Sequence, residues 1–360
     1  MRVMILANND VGLYKFRKDL IAELLKSNQV YISLPYGELV EPLKEMGCEF
    51  VATPLERRGM NPAKDGRLFA TYRKILKEIA PDFVITYTIK PNIYGGIASW
   101  MEKIPYAVNI TGLGTAFQND GMLRKIVTTL YKVACKKAKV VFFENAENRQ
   151  IFLNSRIVQQ NQTCLLNGAG VDLEYYKVCA YPEDVKETKF LFVGRVMKEK
   201  GVDELFDAMQ QLCTEGTHCV LDVVGPLEDD YKDTISRFQA EGWLRYHGYQ
   251  KDVRPFIADC HCFVLPSWHE GMANTNLECA ASGRPVITSN IHGCLESVED
   301  GVSGFLCEKQ NAEDLYRVMK HFTEFPYEER KAMGLAGRKR MEEVFDKRKV
   351  VAETVKELMK

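Results

Sequence analysis

Short runs of β-branched and aromatic residues alternate with amphipathic stretches along nearly the whole 360-residue chain, stop once, and begin again. No other feature constrains the fold as tightly. Strands joined by helical crossovers run parallel, and a parallel sheet is covered by helices on both faces. In the first half the expected strands are 3–7, 30–34, 50–54, 82–86, 106–110, 140–144 and 163–166, with helical periodicity between them, for example over 68–79 and 123–138. An interval of Tyr, Lys and Pro at 175–187 reads as a linker. Strands resume at 190–194, 219–224, 244–247, 262–266, 285–288 and 304–307, and helical patterns at 311–324, 327–345 and 347–360 complete the chain. The spacing predicts an α/β protein of two doubly wound, Rossmann-like lobes facing across a cleft. They comprise residues 1–175 and 176–345, with the final helix, 346–360, returning to the first lobe. In open parallel sheets ligands bind beyond the carboxyl ends of the strands, so the loops that leave those ends are where chemistry is sought.

A chain that is 46% hydrophobic and 27% charged can bury a large core, which excludes a disordered or collagen-like protein. Its eleven cysteines include no C-x-x-C pair, so reduced thiols in a cytoplasmic protein are expected. The Cys260-His261-Cys262 cluster opens an apolar run in which neighbouring side chains point to opposite faces of a strand, a poor arrangement for convergent metal ligands. The apolar stretch at Met1–Leu6 is short for a secretory signal, and no window approaches the ~18 apolar residues of a membrane span, so any membrane contact is expected to be peripheral. The net charge of −1 hides an asymmetry: residues 1–180 hold 24 Lys/Arg against 17 Asp/Glu, and residues 181–360 hold 24 against 32. A basic first half is suited to an anionic partner.

The densest chemical constellation is Pro266-Ser267-Trp268-His269-Glu270-Gly271-Met272-Ala273-Asn274-Thr275-Asn276-Leu277-Glu278. A strand ends, a glycine-containing loop follows, and a helix begins with Asn274 or Thr275 as its expected cap. The free N–H groups at such a helix start favour a phosphate. Glu278, one to two turns in, can accept hydrogen bonds from a ribose diol, while Glu270 stays on the loop nearer a reacting centre. Taken singly, Glu278 is equally read as a favourable helix-dipole charge and Glu270 as a solvated loop acid. A second element, Gly194-Arg195-Val196-Met197-Lys198-Glu199-Lys200-Gly201, leaves the second lobe's first strand, where Arg195 offers a forked contact to phosphate oxygens and Lys200 a point charge.

These two elements, with Asn167-Gly168-Ala169-Gly170-Val171-Asp172, Gly293, Asp300-Gly301 and Gly304-Phe305, resemble the family 4 retaining glycosyltransferases of GT-B fold. The resemblance implies that Arg195 and Lys200 contact a donor diphosphate, Glu270 the donor sugar and Glu278 the ribose. Backbone from Met272 through Ala273, Asn274 and Thr275 to Asn276 would hold sugar and phosphate, Tyr249 would border the base, and the opening loop at Gly12 would approach the donor. Glu270, Arg195 and Lys200 are the implied catalytic residues. The first lobe departs from the family: all six histidines lie beyond residue 180, and Thr111 stands where a histidine is expected. A threonine hydroxyl binds a sugar but does not act as a general base near neutral pH. Deprotonation of the acceptor then falls to the leaving phosphate or to a carboxylate such as Asp10 or Asp120. Asp10, Arg57, Arg58, Thr111 and Asp120 are the acceptor-side candidates.

The Thr111-Gly112-Leu113-Gly114 element and Arg57-Arg58-Gly59-Met60-Asn61-Pro62 resemble the branch that assembles capsule, O-antigen and other lipid-linked glycans. From Gly121 to Phe143 there are six Lys/Arg and no acid, with Leu123, Ile126, Val127, Leu130 and Ala134 at helical spacing. That helix reads equally as a core-facing stripe with solvated lysines or as a basic amphipathic helix lying on an anionic membrane. The expectation is a cytoplasmic transferase, at most peripheral on the inner face of the plasma membrane. It would move a sugar from a nucleotide-sugar, a UDP-sugar first, to a glycan or polyprenyl-diphosphate-linked glycan with retention. No metal, cofactor or nucleic acid is expected to take part. A nucleotide-sugar epimerase of the same fold and a non-catalytic nucleotide-sugar-binding protein are the rivals.

Overall fold

The computed structural model describes residues 1–56, 61–114, 117, 121–183 and 186–360. The chain divides into two units, Met1–Ala169 with Arg348–Lys360, and Gly170–Lys347. The first contains a parallel sheet of β1 (Arg2–Leu6), β2 (Gln29–Leu34), β3 (Glu49–Ala52), β4 (Phe83–Tyr87), β5 (Tyr106–Ile110), β6 (Val140–Phe143) and β7 (Thr163–Leu165), in the order β3-β2-β1-β4-β5-β6-β7. The second contains β8 (Thr188–Val193), β9 (Cys219–Val224), β10 (Leu244–Tyr246), β11 (Cys262–Leu265), β12 (Val286–Ser289) and β13 (Gly304–Cys307), in the order β10-β9-β8-β11-β12-β13. Every strand expected from the sequence forms, displaced by at most two residues at either end. The central strands are buried on both faces, as in β4, β5 and β9, and this is why they read as unbroken apolar runs rather than alternating ones.

Each unit has its own apolar interior. In the second, Phe190, Phe192, Leu221, Phe263, Leu277, Ile287 and Phe322 pack between sheet and helices. In the first, the two faces of the sheet form separate clusters, one around Met4, Tyr72, Val108, Tyr131 and Phe152, the other around Ile5, Ile21, Ile32 and Phe142. Val350 and Leu358 of the final helix, Lys347–Met359, belong to the latter cluster, and Lys139 Nζ donates to the Leu358 carbonyl at 3.1 Å. The two segments at which the chain passes between units lie side by side: Val171 N–H donates to Phe345 O at 2.8 Å and Lys347 N–H to Val171 O at 3.1 Å.

The order of each sheet reverses direction at one point, between β1 and β4 in the first and between β8 and β11 in the second. β8 and β11 are hydrogen-bonded neighbours, with Phe190 opposite Cys262 and Leu191 opposite Phe263. Their carboxyl ends therefore emerge together, and the loops that follow start side by side. This is the crevice in which doubly wound sheets hold ligands.

Candidate active site

From β8 the chain runs through Gly194 and Arg195, forms a 3-10 turn at Lys198–Lys200, and starts the Val202–Thr214 helix at Gly201. From β11 it runs through Pro266 and Ser267 to Glu270. The two loops are joined by a backbone hydrogen bond from Trp268 N to Glu199 O at 3.0 Å and by the Trp268 indole, which donates to Glu204 at 3.1 Å. Gly201 makes this approach possible: its φ is +71°, and a Cβ there would lie 2.0 Å from the Pro266 carbonyl oxygen. The consequence is that Lys200 Nζ and Glu270 Oε1 form an ion pair, with both side chains mostly buried. Ser267 Oγ donates to the same Glu270 oxygen at 2.8 Å.

Glu270 is positioned from its other side by Gly293, at φ +93°. A Cβ on Gly293 would sit 2.7 Å from the Glu270 carbonyl oxygen. The Gly293 carbonyl accepts from Ala273 N at 2.7 Å, and its N–H donates to Glu296 Oε2 at 2.7 Å. The helix Asn274–Ala281 starts immediately afterwards. Its cap is Ala273, which has no side-chain oxygen, so neither Asn274 nor Thr275 caps it as the sequence led one to expect; both fall in the first turn. Instead Asn276 anchors that turn, its Nδ2 donating to Thr288 Oγ1 at 3.1 Å and Ser297 Oγ at 3.0 Å. No side chain caps the first turn, whose Asn274 and Asn276 N–H groups donate to Met272 O and Ala273 O, each at 3.0 Å.

Glu278 is the fifth residue of this helix, about 6 Å further along its axis. It accepts a hydrogen bond from the Tyr176 hydroxyl. Burial, then the neighbouring Glu278 charge, hold that phenol protonated well above the ordinary tyrosine range. Arg195 is more exposed and sits 3.7 Å from Glu228. Met272 and Ala273 are buried, whereas Tyr249 is 60% exposed. Four of the predicted residues, Arg195, Lys200, Glu270 and Glu278, thus occupy two loops and one helix start around the β8/β11 exits, and Lys200 and Glu270 touch.

Two residues given no role by the sequence reading, Ser267 and Tyr176, take part in this arrangement. Ser267 was inside the quoted motif, with no signal that it faces Glu270. Tyr176 lay in the interval read as linker. Arg284, which the sequence reading did not single out, is fully buried elsewhere in the second unit, donating to the carbonyls of Ile257, Ala258 and Ala180 at 2.7–2.8 Å. The Cys260-His261-Cys262 cluster is structural: His261 Nδ1 accepts from Lys189 N at 3.0 Å, and among the described residues no group of three His, Cys, Asp or Glu side chains is placed to hold a metal ion.

In the first unit the acceptor-side candidates fare differently. Asp10 opens the Asp10–Leu25 helix and is buried, its Oδ2 accepting from Leu39 N at 2.8 Å, while a Cβ on Gly37 would lie 2.3 Å from that oxygen. This hydrogen bond and the close-packed loop above it fix where the Asp10 carboxylate stands. Gly12 N donates to Asn9 Oδ1 at 2.6 Å, which makes Asn9 the cap of the same helix. Thr111 is half-buried just past β5, beside a buried ring in which Thr86 donates to Asn92, Asn92 to Asn109 O, and Asn109 to Thr86 O. Arg57, Arg58 and Asp120 lie outside the described residues. No described helix is long and apolar enough to cross a membrane.

The two units are doubly wound α/β folds, and in the second, carboxylates and cations gather at the sheet's reversal point. The chain belongs to the glycosyltransferases, with residues 2–145 matching the family described as glycosyl transferase 4-like and residues 180–340 the family glycosyl transferases group 1. It is 26% identical to the N,N'-diacetylbacillosaminyl-diphospho-undecaprenol alpha-1,3-N-acetylgalactosaminyltransferase of Campylobacter jejuni, over 88% of this chain and 87% of that one. It is 27% identical to the UDP-Gal:alpha-D-GlcNAc-diphosphoundecaprenol alpha-1,3-galactosyltransferase of Escherichia coli, over 84% and 82%. Among solved structures, Anabaena Alr3699/HepE, crystallised with UDP and glucose, superposes with a TM-score of 0.82 at 17% identity, covering 100% of this chain and 99% of that one. A glycosyltransferase from Rickettsia africae gives 0.81 at 18% identity, covering 100% and 98%. The fold is GT-B.

Proposed function

We propose that this glycosyltransferase moves a sugar from a UDP-sugar to a polyprenyl-diphosphate-linked glycan, with retained anomeric configuration, in the assembly of a bacterial surface polysaccharide. The observation that carries the reading is the meeting of Lys200, Ser267 and Glu270 at the β8/β11 exits, next to a helix start with no side-chain cap. A donor diphosphate laid there replaces Glu270 as the partner of Lys200, and its second oxygen set faces Arg195 and the first-turn amides. Released from Lys200, the Glu270 carboxylate accepts hydrogen bonds from the sugar hydroxyls, and Glu278, steadied by Tyr176, accepts from the ribose. The bond from the anomeric carbon to the β-phosphate oxygen breaks as the acceptor hydroxyl attacks from the same face. The departing phosphate oxygen takes the acceptor's proton. Lys200 and Arg195 stabilise the charge that develops on the leaving diphosphate, the electrostatic term that dominates such transfers. Phosphate charge is met by side chains and backbone dipoles, so the reading needs no metal.

The acceptor class draws its support from the Campylobacter and Escherichia relatives, whose names specify diphospho-undecaprenol acceptors, and from the similarity, 26% identity over 78% of this chain, to the Staphylococcus aureus capsular polysaccharide glycosyltransferase CapM. The UDP donor draws its support from the Anabaena neighbour, whose crystals hold UDP or UDP-glucose. The test is a panel of UDP-sugars incubated with a synthetic polyprenyl-diphosphate sugar, with product linkage read by NMR. Expected are an α-linked product from an α-linked donor, a rate unchanged by EDTA, and a fall of about 10²–10³ in kcat for Glu270→Gln. Inverted product, a chelator-sensitive rate, or binding of donor with no transfer would each overturn the corresponding part of the reading.

A further inference from the structure

We infer that Cys213 and Cys219 form a reversible redox site in the second unit, a dithiol that a low-molecular-weight disulfide closes to a Cys213–Cys219 bond. Their sulfurs lie 3.9 Å apart, and among the described residues no other two cysteine sulfurs are in contact. Both residues are held in place by backbone. Cys213 sits in the last turn of the helix Val202–Thr214, which ends in a glycine-capped turn: Gly216 N, at φ +84°, donates to Cys213 O at 3.0 Å, and Thr217 N donates to Leu212 O at 3.0 Å. Cys219 is the first residue of β9 and stands opposite Thr188 of β8, whose N–H donates to His218 O at 2.9 Å. The chain between the two cysteines is thus folded back on itself, and their side chains meet. A disulfide holds its sulfurs about 2.05 Å apart, so about 1.9 Å remains to be closed, within the reach of rotation about the two Cα–Cβ bonds.

The two thiols are not equivalent. Cys219 is buried, whereas Cys213 is partly exposed and is the sulfur that an oxidant reaches first. The contact with Cys219 draws the Cys213 thiol below its ordinary pKa, against burial and the Glu241 charge, and the same contact, followed by burial, holds Cys219 protonated. Attack therefore starts from Cys213. Its thiolate takes one sulfur of the small disulfide, forming a mixed disulfide and releasing one thiol. The Cys219 sulfur, giving up its proton, then attacks Cys213 Sγ and expels the second thiol. Two electrons and two protons pass from the cysteine pair to the small disulfide, which leaves as two thiols. The other cysteines offer no such route: Cys135, Cys260 and Cys294, for example, are buried thiols raised by burial, with no sulfur beside them. The new bond ties the end of the helix to the start of β9, at the amino ends of the strands, while Lys200 and Glu270 lie beyond the carboxyl ends. The site belongs to the second unit by itself and requires no particular donor or acceptor.

The test is incubation of the full chain with oxidised glutathione, alkylation of the remaining thiols in denaturant, and mass spectrometry of the tryptic peptide 201–232, which holds both cysteines and no other. Wild type is expected to yield this peptide unalkylated and lighter by two hydrogens than the reduced form, and dithiothreitol to restore two alkylatable thiols. The oxidised chain should unfold at a urea midpoint higher by roughly 0.5–1 M than the reduced chain. Cys219→Ala is expected to stop at a glutathione adduct on Cys213, and Cys213→Ser to keep its remaining thiol open to alkylation, with the midpoint shift lost in both. A wild-type peptide that still takes two alkyl groups, arrest of wild type at the mixed disulfide, a bond from either cysteine to a different one, or equal midpoints for oxidised and reduced wild type would each overturn the proposal.

Discussion

Glu270 and Lys200 show how much a single side chain depends on what it faces. Each is ordinary in isolation; paired, with Ser267 donating to the shared oxygen, they form a neutral, mostly buried unit that a diphosphate and a sugar can divide between them. Tyr176 acts one step back. Its hydroxyl interacts with Glu278, and a hydrogen bond to a charged acceptor is worth about 1.5–3 kcal/mol. Under the ribose-binding role proposed for Glu278, Tyr176→Phe should raise KM for the nucleotide-sugar roughly three- to tenfold and leave kcat nearly unchanged. Steady-state kinetics decide it: an unchanged KM would show that Tyr176 is only a packing residue. The sequence exposed the acids and cations because charged residues at strand exits stand out against apolar runs. It gave no signal for Tyr176, which reaches Glu278 across about a hundred residues of chain.

At the level of elements, the site is a matter of two loops forced close by β8 and β11 being neighbours. Gly201→Ala would place a methyl against the Pro266 carbonyl in a left-handed backbone conformation, so a loss on the order of 3 kcal/mol is expected, read by urea unfolding. Activity should fall by more than stability explains, because Lys200 is the residue before. Stability unaffected by the substitution would mean that the loops do not approach as described. A second element-level contact ties β11's start to β8: His261, buried, receives Lys189 N–H on Nδ1 and faces Glu183 O at 3.3 Å through Nε2, which fixes the neutral Nε2–H tautomer. Burial holds its pKa below the ordinary value of 6.5. The unfolded chain therefore binds this proton more readily, so the stability contribution is whole above about pH 6.5 and declines as pH falls through that value toward the folded pKa. Unfolding free energies measured from pH 8 to pH 5 should fall more steeply for wild type than for His261→Asn; parallel curves would remove His261 from the account. Helix boundaries were less legible than strands. The cap at 274 was misplaced because Asn and Ser-like residues favour capping by propensity, whereas here Ala273 is held at that position by Gly293.

On the scale of the molecule, the chain leaves the first unit at Ala169 and returns to it at Arg348. Leu358→Ala in the final helix should cost about 2–4 kcal/mol and lower hydrogen-exchange protection in β1 and β2, with the strands of the second unit unaffected. Loss of protection in β8 or β11 instead would contradict the division. The sequence by itself determined the two alternations, the parallel sheets they require and the loops that carry charge, because side-chain periodicity and strand-end composition are local properties. Tertiary structure alone decided which charges meet, Lys200 with Glu270 and Arg195 with Glu228. Asp10, one of the candidate bases, accepts from Leu39 N, and Arg284, which the sequence did not single out, is buried and donates to carbonyls from distant segments. Leu123 and Ile126 shared a stripe with Val127 and Ala134, and only the packing of the helix separated the pair left outside from the pair within. Period fixes the face on which a residue lies, but what covers that face is set by segments far away in the chain.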